Sequence, residues 1–123
     1  MPKVKRDLAI KKPKSVNILG IGYTIEYCDN PSDVDIYKRS SLWGQIDYWT
    51  RSIRVYDNER TAVDVWQTIL HEIIHGIVKD LHISDLSPAS EHETAIDVLA
   101  LALIDVFTRN GWLTVEDDET TDV

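Results

Sequence analysis

Apolar residues recur at three- and four-residue spacing twice in the second half of the chain. Val63, Trp66, Ile69, Leu70, Ile73, Ile74 and Ile77 mark a helix from about Thr61 to Asp80. Ile96, Ala100, Leu103, Ile104 and Phe107 mark a second, from about Pro88 to Asn110. Ser87 and Pro88 suit the cap and first position of that helix, after a loop from Ser84. Gly111 suits the left-handed position beyond its last turn, with Trp112 folding back. The first half has a different period. Val16 to Leu19 reads as a strand, and after a turn at Gly20-Ile21-Gly22 so does Tyr23 to Cys28. In the latter, Tyr23, Ile25 and Tyr27 alternate with Thr24 and Glu26, the pattern of a half-buried strand. Asn30-Pro31-Ser32-Asp33 opens a short helix to about Tyr37. Ser41–Tyr48 and Ser52–Tyr56 then form a hairpin around Trp49-Thr50-Arg51, with Leu42, Ile46, Ile53 and Val55 as its apolar positions. Asp57-Asn58 ends the strand and caps the following helix. Strands first and long helices second predict an α+β fold with a small antiparallel sheet.

Composition narrows this further. A chain of 123 residues with 43% apolar content has room for one domain with a real core. No apolar run is long enough to span a membrane, so no membrane partner is expected. The net charge of −8 is unevenly spread: residues 1–14 carry six basic side chains against Asp7, a net +5, leaving −13 for the rest. Residues 1–14 read as a basic flexible arm, 15–113 as the single domain, and 114–123 as an acidic disordered tail. So acidic a body argues against a nucleic-acid partner. The single cysteine, Cys28, excludes an internal disulfide and a cysteine-based zinc site. With no apolar signal segment at the N-terminus, these features point to the cytoplasm.

The first helix contains His71-Glu72-Ile73-Ile74-His75, a His-Glu-x-x-His motif. Residues four apart on a helix lie one above the other, so both imidazoles can bind one Zn²⁺ at about 2.0–2.1 Å. Glu72, between them, is then placed as a general base for a water that the ion has acidified. Apolar residues flank the motif on both sides, and buried imidazoles and a buried carboxylate without partners would be costly. A metal supplies the partner.

A catalytic zinc site takes a third protein ligand. His82, Glu91, His92 and Glu93 are the candidates. Glu93 lies three residues before Ile96, on the apolar face of the last helix, whereas Glu91 falls on the opposite side. Asp97, one turn after Glu93, is placed to hold the second nitrogen of a ligand histidine. The competing role for Glu93 is a capping box with Ser90. His82 falls seven residues after His75 rather than six, with Val78 where a glycine would be needed, so the extended metzincin pattern does not apply. The predicted ligands are His71, His75 and Glu93, with Glu72 as the catalytic base. Tyr48, Tyr56, His82 and His92 are candidates for stabilising an oxyanion.

A hairpin carrying Trp43-Gly44-Gln45-Ile46, the Ile53-x-Val55 strand, Leu70-His71-Glu72-x-x-His75 and then Glu93 entering an alanine-rich helix resembles the ImmA/IrrE group of metallopeptidases. The resemblance covers roughly residues 15–110. It implies a minimal zincin fold with a His-His-Glu site of the gluzincin kind, a cytoplasmic location and residence on phages or mobile elements. The protein or peptide substrate it implies is a repressor or similar regulator. In zincins an edge strand pairs with an extended substrate, and the 41–56 hairpin is the counterpart here. The alternative expectation is a catalytically silent metal-binding module that acts by protein interaction.

Overall fold

The computed structural model describes residues 12–83 and 91–114. Its elements run β1 (Ser15–Ile18), β2 (Ile21–Cys28), a 3₁₀ turn (Pro31–Asp33), β3 (Gly44–Asp47), β4 (Ser52–Tyr56), α1 (Ala62–Leu81) and α2 (Glu93–Arg109). The fold is α+β, as the periodicities predict. The arm up to residue 11, the predicted loop and cap at Ser84–Pro88, and the tail from residue 115 lie outside the described residues.

The strands form one sheet in the order β1-β2-β4-β3. The expectation of an antiparallel sheet needs correction. β1–β2 and β3–β4 are antiparallel, but β2 and β4 run parallel, with Thr24 opposite Ser52 and Tyr27 opposite Val55. A parallel pair needs a long crossover. Residues 29–51 provide it, and they contain β3, which passes beyond the sheet centre to become its edge. β1 and β2 are joined by a tight turn at Leu19 (φ 51°) and Gly20 (φ 92°), closed by the Gly20 N–H donating to Asn17 Oδ1 at 2.7 Å. Two successive positive φ values suit the twist of a hairpin. The turn thus falls one residue earlier than expected, and Ile21 and Gly22 belong to β2.

The short helix predicted from Asn30 to Tyr37 stops after Asp33. Asp35, buried to 1% exposure, captures the chain instead. Its carboxylate accepts from the backbone N–H groups of Tyr37 and Arg39, from the Arg39 guanidinium and from Gln45 Nε2. That ties the crossover to β3.

α1 is capped not by Asp57-Asn58 but by Thr61, whose side chain accepts from Asp64 N–H at 3.2 Å. Asp57 is engaged elsewhere, pairing with Lys12 at 2.8 Å. α1 lies between the sheet and α2. Its Val65, Trp66 and Ile69 pack on Ile18, Tyr23, Ile25, Ile53 and Val55 of the sheet. Its Ile74 and Val78 pack on Ile96 and Ala100 of α2. Val63, expected on the buried face, is exposed; Val65 takes that place. Among the described residues α2 runs from Glu93, with His92 (φ −128°, ψ 31°) as its cap, and the predicted start at Pro88 lies outside them. Glu93 is the first residue of α2, and Ser90, its partner in the capping box, lies outside the described residues. At the other end, Gly111 adopts φ 75° and Trp112 folds back onto Phe107, as expected.

Candidate metal centre

His71 and His75 lie on one face of α1, one turn apart, with ring centroids 4.8 Å from each other. Their Nε2 atoms are 3.1 Å apart. The α1–α2 packing brings the start of α2 against this face. Glu93 Oε1 lies 2.7 Å from His71 Nε2 and 3.0 Å from His75 Nε2. Behind His71, Asp97 Oδ1 lies 3.2 Å from Nδ1. The histidine side chains are 15% and 13% exposed and Glu93 is 52% exposed, so the cluster opens to solvent on the α2 side. Of the other candidates for third ligand, His82 is an exposed left-handed residue (φ 50°) at the end of α1, Glu91 is exposed, and His92 caps α2. Among the described residues, His71, His75 and Glu93 are the group arranged to share an ion.

The donor chemistry fits a cation. With its Nδ1–H donated to Asp97, His71 presents a lone pair at Nε2 toward a carboxylate oxygen 2.7 Å away and a second imidazole nitrogen 3.1 Å away. A cation among the three atoms would satisfy these lone pairs together, whereas a proton on one imidazole nitrogen satisfies a single contact at a time. Three ligand atoms around tetrahedral zinc stand about 3.3 Å apart, given bond lengths of about 2.0–2.1 Å. The observed separations of 2.7, 3.0 and 3.1 Å are shorter than that spacing, by about 0.2 to 0.6 Å, so the ligand atoms would move apart slightly to admit the ion.

Glu72 is 7% exposed and faces the sheet edge. β3 approaches so closely that a Cβ on Gly44 would sit 2.5 Å from Thr68 Cγ2 and 3.1 Å from Glu72 Oε2. A glycine is required there by space, not by backbone angle. Burial raises the Glu72 carboxyl to about 7; the charge of His71 and the Ile46 backbone hydrogen bond work against that rise, and Glu93 adds to it. A carboxyl in that range exchanges protons near neutral pH, which is what general acid–base work demands.

The site opens on a groove of about 460 Å³ between α1, the start of α2 and the outer side of β3, walled by Trp43, Gly44, Arg60, Gln67, His71, Glu72 and Glu93 among others. Along β3 the residues paired by hydrogen bonds alternate. Trp43 accepts from Tyr56 N–H at 2.9 Å, so the peptide groups of Gly44 and Ile46 point away from β4. The Ile46 N–H meets Glu72, and those of Gly44 face the groove.

None of the four predicted oxyanion candidates lines this groove. The Tyr48 hydroxyl donates to the His75 carbonyl at 3.3 Å. Tyr56 lies under Arg60, while His82 and His92 terminate helices. The polar donors that do line it, Arg60 and Gln67, went unnoticed in the sequence. Arg60 precedes the helix and Gln67 sits a turn before the motif, and neither position has a spacing signature.

Comparison with known protein families, with curated proteins and with solved structures gives no match. No described helix is long and apolar enough to cross a membrane.

Proposed function

We propose that this chain is a zinc-dependent metallopeptidase of the ImmA/IrrE kind, with a minimal zincin domain, that hydrolyses a peptide bond in a cytoplasmic protein such as the regulator of a phage or mobile element. The observation that carries this reading is the meeting of His71 Nε2, His75 Nε2 and Glu93 Oε1 at one point beside the buried Glu72 carboxyl.

His71, His75 and Glu93 would hold the ion. Asp97 fixes the ring and tautomer of His71 by accepting its Nδ1–H, and so keeps the Nε2 lone pair directed at the centre. Bound there, zinc supplies a Lewis acid that polarises the scissile carbonyl and acidifies water. Glu72 takes the proton from that water and delivers it to the departing amine. Its seat against Gly44 and the Ile46 N–H holds the carboxylate in one orientation. The outward peptide groups of Gly44 offer main-chain hydrogen bonds to a substrate laid along the edge of β3.

The test has two parts. Zinc content after dialysis should be about one per chain in wild type and in Glu72→Gln, and lost in Glu93→Ala. New N-termini should then appear in a denatured bacterial proteome treated with zinc-loaded wild type and not with Glu72→Gln. Absence of zinc in the wild type, even after zinc is added, sinks the metal centre. Zinc without new N-termini leaves a metal-binding module that acts by protein interaction.

A further inference from the structure

Beyond the metal centre, the groove continues toward the N-terminus of α1, where its walls are Trp43 and Arg60. Arg60 is the only lysine or arginine among the residues described as lining the groove. It is half-buried, and its guanidinium lies 4.4 Å from the Trp43 ring and 5.9 Å from that of Tyr56. Its hydrogen bonds run to neutral oxygens: the carbonyls of Tyr56 (2.5 Å) and Asp64 (3.0 Å) and Thr68 Oγ1 (2.8 Å). Its Nε–H is buried without a partner in the described structure. The groove's carboxylates near the metal centre are engaged elsewhere: Glu93 with the two imidazoles, Asp97 with His71, and Glu72 with the Ile46 N–H.

A guanidinium has five donors in a planar fork that matches a carboxylate. Here three hydrogen bonds and two aromatic rings hold that fork, so little of its freedom remains to be lost when an anion binds. With Nη2 fully used and the Nε–H buried, the second Nη1 hydrogen is the one left to meet a carboxylate. Among the described residues no carboxylate is hydrogen-bonded to the guanidinium. The carboxylates of Asp64 and Asp57 act on it only through their charge, and burial, the larger influence, lowers its affinity for its own proton. The positive end of the 20-residue helix α1 lies at the same place, adding to the attraction for negative charge. Thr68, which Arg60 holds, is one turn before Glu72 on α1, and both pack against Gly44. A strand laid along β3 past Gly44 therefore brings a neighbouring residue of the substrate to Arg60.

We infer that Arg60, backed by Trp43, forms a specificity subsite that binds a carboxylate of the peptide substrate, beside the bond to be cut. This deepens the peptidase reading and rests on it. The carboxylate has two sources, an Asp or Glu side chain or the C-terminus of the peptide, and the test separates them.

The zinc-loaded Glu72→Gln protein is titrated with acetylated, amidated hexapeptides of alanine in which one Glu is moved through every position, each beside its Gln twin. Binding is read by calorimetry. A third set carries alanine throughout and ends in a free carboxylate. The expected result is one Glu position that binds about ten- to a hundredfold more tightly than Gln, the range for a charge-assisted hydrogen bond. If only the free-acid set gains, the source is the C-terminus. Arg60→Gln, added to the same protein, should erase the gain while zinc content stays at one per chain, and Arg60→Lys should keep part of it. Should Arg60→Gln fail to fold, the Arg60-bearing protein still decides. Lys at the favoured position must bind more weakly than Gln, and the Glu advantage must shrink as salt is added. Equal binding of Glu and Gln peptides at every position, with no gain for the free acid, overturns the subsite but leaves the peptidase reading standing. A gain that survives Arg60→Gln overturns it also. No peptide binding at all, with zinc retained, overturns both.

Discussion

The two helices have similar sequences in the coarse sense, each rich in Ile, Leu and Val, yet the fold treats them differently. α1 buries eight of its 20 residues, among them Glu72, because it is covered by the sheet on one side and by α2 on the other. α2 buries only Ile96, Ala100 and Ile104 of its 17, and leaves Val98, Leu99, Leu101 and Val106 between 43% and 61% exposed. The difference teaches how the candidate centre is divided. The half held in a fixed, water-poor environment, the two imidazoles and the Glu72 carboxyl, belongs to the covered helix. The half that only has to arrive, Glu93 with Asp97 behind it, belongs to the outer one. Burial is what raises the Glu72 carboxyl, and the same carboxyl on α2 would have no such cause.

The contrast can be broken most sharply in the core. Ile69→Ala, at a side chain with no exposure, should cost about 2–5 kcal/mol of unfolding free energy, whereas Leu99→Ala should stay within about 1 kcal/mol. Urea denaturation followed by circular dichroism reads both, and equal losses would mean that α2 is as deeply covered as α1. Asp97→Asn comes next. It leaves the ligands in place and weakens the orientation of His71, so zinc affinity should fall about 10–100-fold in competition with a chelator. An unchanged affinity would reduce Asp97 to a surface residue.

Gly44→Ala sharpens the comparison from the sheet side. The added methyl meets Thr68 and Glu72 on α1, so it should cost about 1–3 kcal/mol and abolish turnover together. A stable, fully active Gly44→Ala protein would show that the close approach of β3 to α1 has no part in the chemistry.

The smallest effect is expected in acid. Hydrogen bonds from Arg39, Gln45 and the Tyr37 N–H hold the Asp35 carboxyl well below the usual carboxylate range, and hydrogen bonds from Thr50 and Tyr37 lower that of Asp47. Both carboxyls are thus depressed in the folded state relative to an unfolded value of about 3.9. Their contribution to stability is complete above that value and is lost as pH falls through it toward the folded values. Glu72 acts with the opposite sign, since burial raises its carboxyl from 4.5 to about 7. Thermal midpoints should therefore rise as pH falls from about 7 toward 4.5, and then decline below about 4 as Asp35 and Asp47 protonate. In Asp35→Asn the midpoint should start lower and decline less. A wild-type decline that begins near neutral pH would point to some other group.

Much of the architecture was legible because periodicity reports burial. The strand and helix periods placed β1, β2, β4 and α1 to within a residue or two. The edges went wrong where a single side chain outcompeted the pattern. Asp35 captured the backbone that was expected to continue as a helix, and Thr61 rather than Asp57-Asn58 capped α1.

The sequence by itself determined which residues could share an ion. Helical spacing puts His71 and His75 on one face whatever surrounds them, and the period of the last helix singles out Glu93 with Asp97 a turn behind. Tertiary structure decided the rest, since pairings between distant segments leave no local periodicity. It made β2 and β4 parallel neighbours, set β3 at the sheet edge, and pressed Gly44 against Glu72. It also placed Arg60 and Gln67 in the groove, while the tyrosines and histidines favoured from composition lie elsewhere. A ligand pair on one helix is fixed by bond geometry over four residues, whereas a groove is fixed only when strands and helices far apart in sequence have packed.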